Sequence, residues 1–98
     1  KSADTFGPLG PYIVTDIDPQ NVAIRGLVNG VEGQNCHSSE MLFSTAKSIS
    51  FISKYATLLP GDMLWTGTSG KTPPINPGDT VTIEIENVGV LENPVESA

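Results

Sequence analysis

The chain has 98 residues, 38% of them apolar, with 10 Gly and 8 Pro, which suits one domain, or part of one, with a modest core and many turns. A formal net charge of −6, with five Lys and Arg in all, argues against binding nucleic-acid phosphates, and no apolar run is long enough to cross a bilayer. The lone Cys36 cannot form an internal disulfide, which fits a cytoplasmic protein.

The chain opens at Lys1 without a methionine, which is read as the mark of a fragment or a processed product. Residues 5–11, TFGPLGP, form a turn-rich segment in which proline fixes φ and glycine permits unusual backbone angles. Residues 12–15, YIVT, read as a short strand, and residues 16–21, DIDPQN, as a loop. The run VAIRGLVNGVEGQNC from residue 22 reads as a hairpin. Its Asn29 and Gly30 suit a two-residue primed turn, whose twist matches that of paired strands.

The helix signal lies between residues 39 and 55. Leu42, Ala46, Ile49, Ile52 and Ala56 recur at spacings of three and four and line one helical face, so one main helix is expected over about 42–56. Ser38 or Ser39 is the expected N-cap. Interior serines weaken helical propensity, so the first turn is expected to separate from the main helix.

The tripeptide PGD occurs at 60–62 and again at 77–79, each time before a strand-like run, MLWT at 63–66 and TVTIEIE at 80–86. In the second run Val81, Ile83 and Ile85 alternate with Thr82, Glu84 and Glu86, the pattern of a half-buried strand with one wet face. Residues 88–96 read as a last strand. Low helix content and several short strands between Gly/Pro turns predict an α+β, β-rich fold: a mostly antiparallel β roll or sandwich carrying one helix.

Few side chains stand out for chemistry. Cys36 and His37 are adjacent, but neighbours in a strand point to opposite faces, so adjacency does not make a dyad. One Cys and one His do not make a zinc site. Asp16 and Asp18 sit in a loop. Glu84 and Glu86 share a strand face, where an i, i+2 carboxylate pair can chelate a divalent ion but more often forms the wet side of a sheet. Gly70, Lys71 and Thr72 do not belong to a phosphate loop, because prolines follow at once where a helix would have to begin. The stretch WTGTSG at 65–70 puts hydroxyls and flexible backbone where a strand runs out, which suits either a plain turn or a ligand loop on a rigid strand.

Three stretches, KSADTFGPLGPYIVT, VNGVEGQNCHSSEMLF, and LLPGDMLWTGTSG with the later PGDTVTIEIENVGVLENPV, occur in an order that resembles the C-terminal half of the catalytic domain of the fumarylacetoacetate hydrolase family. The resemblance covers almost all of residues 1–95. It implies a mixed β roll or sandwich present as a partial domain over residues 1–98. It also implies an enzyme that uses Mg²⁺ or Mn²⁺ on small 2-oxo or 2-hydroxy dicarboxylic acids, through an enolate-type intermediate. Hydrolysis of C–C bonds, decarboxylation and keto–enol isomerisation all occur in the family, some of them in aromatic breakdown. Implied partners are a small anionic oxo-acid substrate, the missing N-terminal half of the same protein and a second copy in a homodimer.

On that resemblance Lys1 holds the place of the catalytic lysine of the KS motif, where a compact cation steadies negative charge. Thr68 holds the place of the second threonine of TGT, a substrate-binding hydroxyl, and Gly67 lets the backbone approach closely. Thr66 is expected to support the turn. The family's metal ligands, a Glu-x-Glu pair and an Asp, and its histidine–glutamate pair all precede the lysine, so no metal ligand is expected in this chain, and Glu84 and Glu86 match a strand rather than ligands. Two departures stand out: SGKTPP follows TGT where many members carry PxGVG, and Asn87 stands where many carry Gly. A catalytically silent lobe of a two-lobed family member is the alternative implied function.

Overall fold

A computed structural model describes residues 4–97. Four strands form one antiparallel sheet: β1 (Ala23–Val28), β2 (Val31–His37), β3 (Thr80–Ile85) and β4 (Gly89–Pro94), in the order β2-β1-β3-β4. A short 3-10 turn, Ser38–Glu40, and one helix, α1 (Thr45–Ile52), lie between β2 and β3. The expected β-rich fold with a single main helix is therefore present.

The β1–β2 hairpin closes as expected. Val28 pairs with Val31, and Asn29 and Gly30 between them take φ of 51° and 76°, the positive values that a primed turn requires at both positions. Asn29 also ties the hairpin tip to β3. Its Nδ2 donates to Asp79 Oδ1 at 2.8 Å and its Oδ1 accepts from Thr80 N at 2.9 Å. The two PGD segments fold alike. Gly61 and Gly78 take φ of 97° and 94°, and each following aspartate accepts an amide proton from three residues back: Leu59 N to Asp62 Oδ2 at 2.8 Å, Asn76 N to Asp79 Oδ2 at 2.7 Å. Proline followed by a positive-φ glycine is the signature of a type II turn, and the carboxylate locks its first residue.

β3 alternates as the sequence requires. Ile83 faces the same side as Gly26 and Ile24, while Glu84 pairs across with Arg25. Arg25 bridges three strands on the wet face, with Nε 2.8 Å from Glu32 Oε2 and Nη1 2.9 Å from Glu84 Oε2. The Arg25 hydrogen bond, aided by Asn35, holds the Glu32 carboxyl below the usual carboxylate range. Glu86 accepts from Ala23 N at 3.1 Å, so both glutamates serve the sheet. In the β3–β4 turn Asn87 takes φ 59°, a conformation glycine adopts freely and asparagine tolerates.

Three sequence expectations differ from the structure. The helix is shorter than 42–56: it starts after Ser44, whose Oγ accepts from Lys47 N at 3.2 Å. Neither Ser38 nor Ser39 caps it. Ser38 is buried, and its hydroxyl accepts from Val22 N at 2.9 Å. Serine hydroxyls compete for backbone groups, which here splits off the first turn. Residues 12–15 and 63–66 form no ladder; Tyr12 instead lays its ring against Gly89 at the start of the edge strand β4, a side-chain contact in place of backbone pairing. Val22 and Leu27 form the buried apolar centre, whereas Phe6, Ile13, Leu42 and Trp65 are largely exposed.

The Asp79 carboxyl sits below its ordinary range, first because of the Asn76 amide and then because of the Asn29 carboxamide. Its contribution to stability is therefore full above about pH 4 and is lost as pH falls through the lowered folded value. Wild type should exceed Asp79→Asn in urea midpoint at pH 7, and the gap should shrink in acid; a gap unchanged at about pH 3 contradicts this.

Candidate functional site

The sheet face opposite Arg25 forms the floor of a cavity of about 410 Å³, within the range of small-ligand sites. Ile24 and Gly26 of β1, Gln34 and Cys36 of β2 and Ile83 of β3 contribute to the floor; Met41, Leu42 and Phe43 make one wall, and residues 66–69 make another. The strand register sets this arrangement. Gly26 lies between Gln34 and Ile83, and the β1–β2 register then shifts so that Leu27 faces Glu32, leaving Gly33 as an extra residue. Such a bulge bends a strand and redirects its side chains.

Thr68 lies in the cavity wall. Gln34 Nε2 donates to Thr68 Oγ1 at 2.7 Å and to the Ser69 carbonyl at 2.8 Å, so one side chain of β2 holds the end of the TGT segment. Gly67 takes φ 91°, and an added Cβ there would meet nothing within 4 Å. Among the described residues, its glycine requirement is therefore one of backbone angle rather than of close approach. Thr66 also lines the cavity. Lys1 lies outside the described residues.

The opposite wall is fixed by Gln20. Its Nε2 donates to Ser38 O at 2.8 Å, and its Oε1 accepts from Thr45 N at 2.7 Å, clamping both ends of the segment that carries Met41, Leu42 and Phe43. Cys36 and His37 both border the cavity. His37 is engaged locally: its Nδ1 lies 2.7 Å from Ser39 Oγ and accepts from Ser39 N at 3.3 Å, capping the 3-10 turn. Asp18 is likewise local, its Oδ1 accepting from Gln20 N at 2.9 Å. Among the described residues no group of three His, Cys, Asp or Glu could hold a metal ion. The described part of the cavity offers hydroxyls, a carboxamide and apolar walls, with Glu40 as its one carboxylate. No described helix is long and apolar enough to cross a membrane.

The family model for the fumarylacetoacetate (FAA) hydrolase C-terminal region matches residues 1–96. The chain belongs to the fumarylacetoacetate hydrolase family. It is 44% identical over 105 residues to the mitochondrial oxaloacetate tautomerase fahd2 of Xenopus laevis, covering 97% of this chain and 33% of that protein. Among solved structures, it is similar to 2-hydroxyhepta-2,4-diene-1,7-dioate isomerase from Mycobacterium marinum, with 47% identity and a TM-score of 0.94 over 96% of this chain and 37% of that one. It is also similar to maleylpyruvate hydrolase from Sphingobium sp. SYK-6, solved with manganese (II) ion and pyruvate, with 32% identity and a TM-score of 0.90 over 95% of this chain and 36% of that one. The chain thus spans about a third of the length of these relatives, which are family enzymes of the tautomerase, isomerase and hydrolase kinds.

Sequence reasoning overlooked Gln34 and Gln20. Gln34 shares strand parity with Cys36, but the glycine it faces, Gly26, is identified only by the register. Gln20 carried no signal, because its two partners lie 18 and 25 residues away.

The bulge brings Gly33 against the loop that departs from the family pattern. A Cβ on Gly33 would lie 2.6 Å from Pro73 Cγ. Gly33→Ala should therefore lower stability by about 1–3 kcal/mol, read from the urea midpoint; a wild-type midpoint would mean that Pro73 yields without resistance.

Proposed function

We propose that this chain is the C-terminal part of a catalytic domain whose whole protein acts on a small 2-oxo or 2-hydroxy dicarboxylic acid through an enolate-type intermediate. The reaction is C–C hydrolysis, decarboxylation or keto–enol isomerisation. The observation that carries this reading is the TGT segment, held against a ligand-sized cavity by Gln34, in a fold shared with an enzyme solved with manganese and pyruvate. Magnesium or manganese belongs to the proposal. Its ligands are proposed to lie in the rest of the protein, because among the described residues no group of three His, Cys, Asp or Glu could hold the ion.

The part assigned to this chain is binding and orientation. Thr68 donates its hydroxyl proton to a carboxylate or enolate oxygen, a contact that adds no charge to an already acidic chain. Gly67 supplies the backbone angle that presents it. Lys1 is proposed to add a compact ammonium beside the developing negative charge, where a fixed cation favours the charged transition state over the ground state. Ile24, Ile83 and Phe43 add apolar surface around these groups, and covering by the rest of the protein would strengthen each polar contact by excluding water.

The exposed Phe6, Ile13, Leu42 and Trp65 support the same reading, because surfaces of this kind are normally covered. The remaining length of the protein and a second copy in a homodimer are the proposed covers. A cytoplasmic location is part of the proposal and is supported by the unpaired Cys36; the Xenopus relative, by contrast, is mitochondrial.

The test uses the full-length protein with oxaloacetate, an acylpyruvate and a hydroxydienedioate. One of them should turn over, activity should vanish with a chelator, and magnesium or manganese should restore it. Turnover indifferent to chelator contradicts the proposal. Thr68→Ala should lower kcat/KM about tenfold or more, with little change in thermal midpoint, while Thr68→Ser should keep most of the activity. Wild-type rates in Thr68→Ala would remove Thr68 from the site.

A further inference from the structure

Thr68 can serve an anion only if its hydroxyl proton points at the anion, and a hydroxyl rotates. The structure contains a device that decides the direction. Gln34 Nε2 lies 2.7 Å from Thr68 Oγ1 and 2.8 Å from Ser69 O. The Ser69 carbonyl can only accept, so the amide nitrogen of Gln34, not its oxygen, must face the loop. A primary amide has two protons, and here one goes to each acceptor. Thr68 Oγ1 therefore receives a hydrogen bond from Gln34, and its own single proton has to be spent on another acceptor. Residues 66–69 line the cavity, so an anion bound there is an acceptor within reach of that proton.

The rest of Gln34 is held as well. Gly26 faces it across the ladder, and a Cβ at Gly26 would come within 3.3 Å of Gln34 Oε1 and 3.4 Å of its Cβ. The missing side chain at 26 leaves the space in which the carboxamide lies. The bulge at Gly33 comes directly before it and redirects the end of β2.

We propose that Gln34 is a positioning residue that fixes Thr68 as a hydrogen-bond donor to the anionic oxygen of the substrate. This rests on the reading of Thr68 given above. Gln34 does not touch the reacting atoms; it acts through Thr68. Glutamate at this position would reverse the polarity. An ionised carboxylate accepts the Thr68 proton and repels the Ser69 carbonyl, so the cavity loses its donor. A protonated carboxyl can donate to Thr68 Oγ1 and restores the direction.

The experiment measures the dissociation constant of oxalate, an unreactive anion related to the proposed substrates, on the full-length protein from about pH 8 down to about pH 4, with each variant compared with wild type at the same pH. Gln34→Glu should weaken oxalate roughly tenfold at the alkaline end and recover toward wild type at the acid end. Gln34→Met, which removes the donors without adding charge, should weaken it by about threefold at every pH. In a Thr68→Ala background Gln34→Glu should add almost nothing, because the two residues act as one unit. Thermal midpoints identify any variant that fails to fold, and Gln34→Met then stands in for Gln34→Glu in the cycle.

Wild-type affinity in Gln34→Glu, a loss independent of pH, or a loss fully additive with Thr68→Ala would each overturn the proposal. If Thr68→Ala weakens oxalate and the Gln34 variants do not, the Gln34 role alone fails. If Thr68→Ala binds oxalate as wild type does, the reading of Thr68 fails and Gln34 has nothing to position.

Discussion

A side chain missing from the middle of the sheet organises the rest. β1 is flanked on both sides, so every residue of it faces partners, and at Gly26 the cavity face of the ladder carries no side chain between Gln34 and Ile83. A long polar side chain can lie in that gap and still reach past the strand edge. Gln34 does so, and at 2.7 Å it meets the hydroxyl of Thr68, a residue with no place in any strand. The loop thereby inherits the rigidity of the sheet without being part of it. Rigid placement matters for a donor whose whole use is direction, since a rotating hydroxyl gives up in entropy much of what its hydrogen bond contributes.

Charge is distributed to match. Ionic groups sit on the other face, where Arg25 joins Glu32 and Glu84 in water, and pairs this exposed contribute little to stability. The described cavity wall is apolar except for hydroxyls, a carboxamide, Cys36, His37 and Glu40. Glu40 is the one carboxylate among the described lining residues, and in a chain of net charge −6 further carboxylates there would repel an anionic ligand. Neutral donors avoid that penalty and leave the positive charge to be supplied from elsewhere in the protein. The two clamps play parallel parts: Gln34 holds one wall to the sheet, and Gln20 holds the other by gripping Ser38 and Thr45.

What the sequence disclosed follows the range of the interactions involved. The hairpin turn at Asn29 and Gly30, the alternation of β3 and the twin PGD turns are set by residues within a few positions of each other, and all were readable. The length of α1 was not. Ser44, rather than Ser38, won the capping contest because Ser38 was drawn away to Val22 across the fold. Residues 12–15 and 63–66 have strand composition, but a strand needs an edge to pair with, and composition does not say whether one will pair. Thr68 and Gly67 stood out only through the family resemblance; nothing in their spacing distinguished a ligand loop from a turn. The value of Gln34 depends on a bulge and on a glycine eight residues away, a relation that exists only once the register is known.

The most direct measurement is a crystal structure of the full-length protein with a bound 2-oxo acid. The account predicts Thr68 Oγ within about 3 Å of a ligand oxygen, with the Gln34 carboxamide still bridging Thr68 and the Ser69 carbonyl. A ligand seated in the protein with Thr68 turned away from it, or with Gln34 swung off the loop, would contradict it.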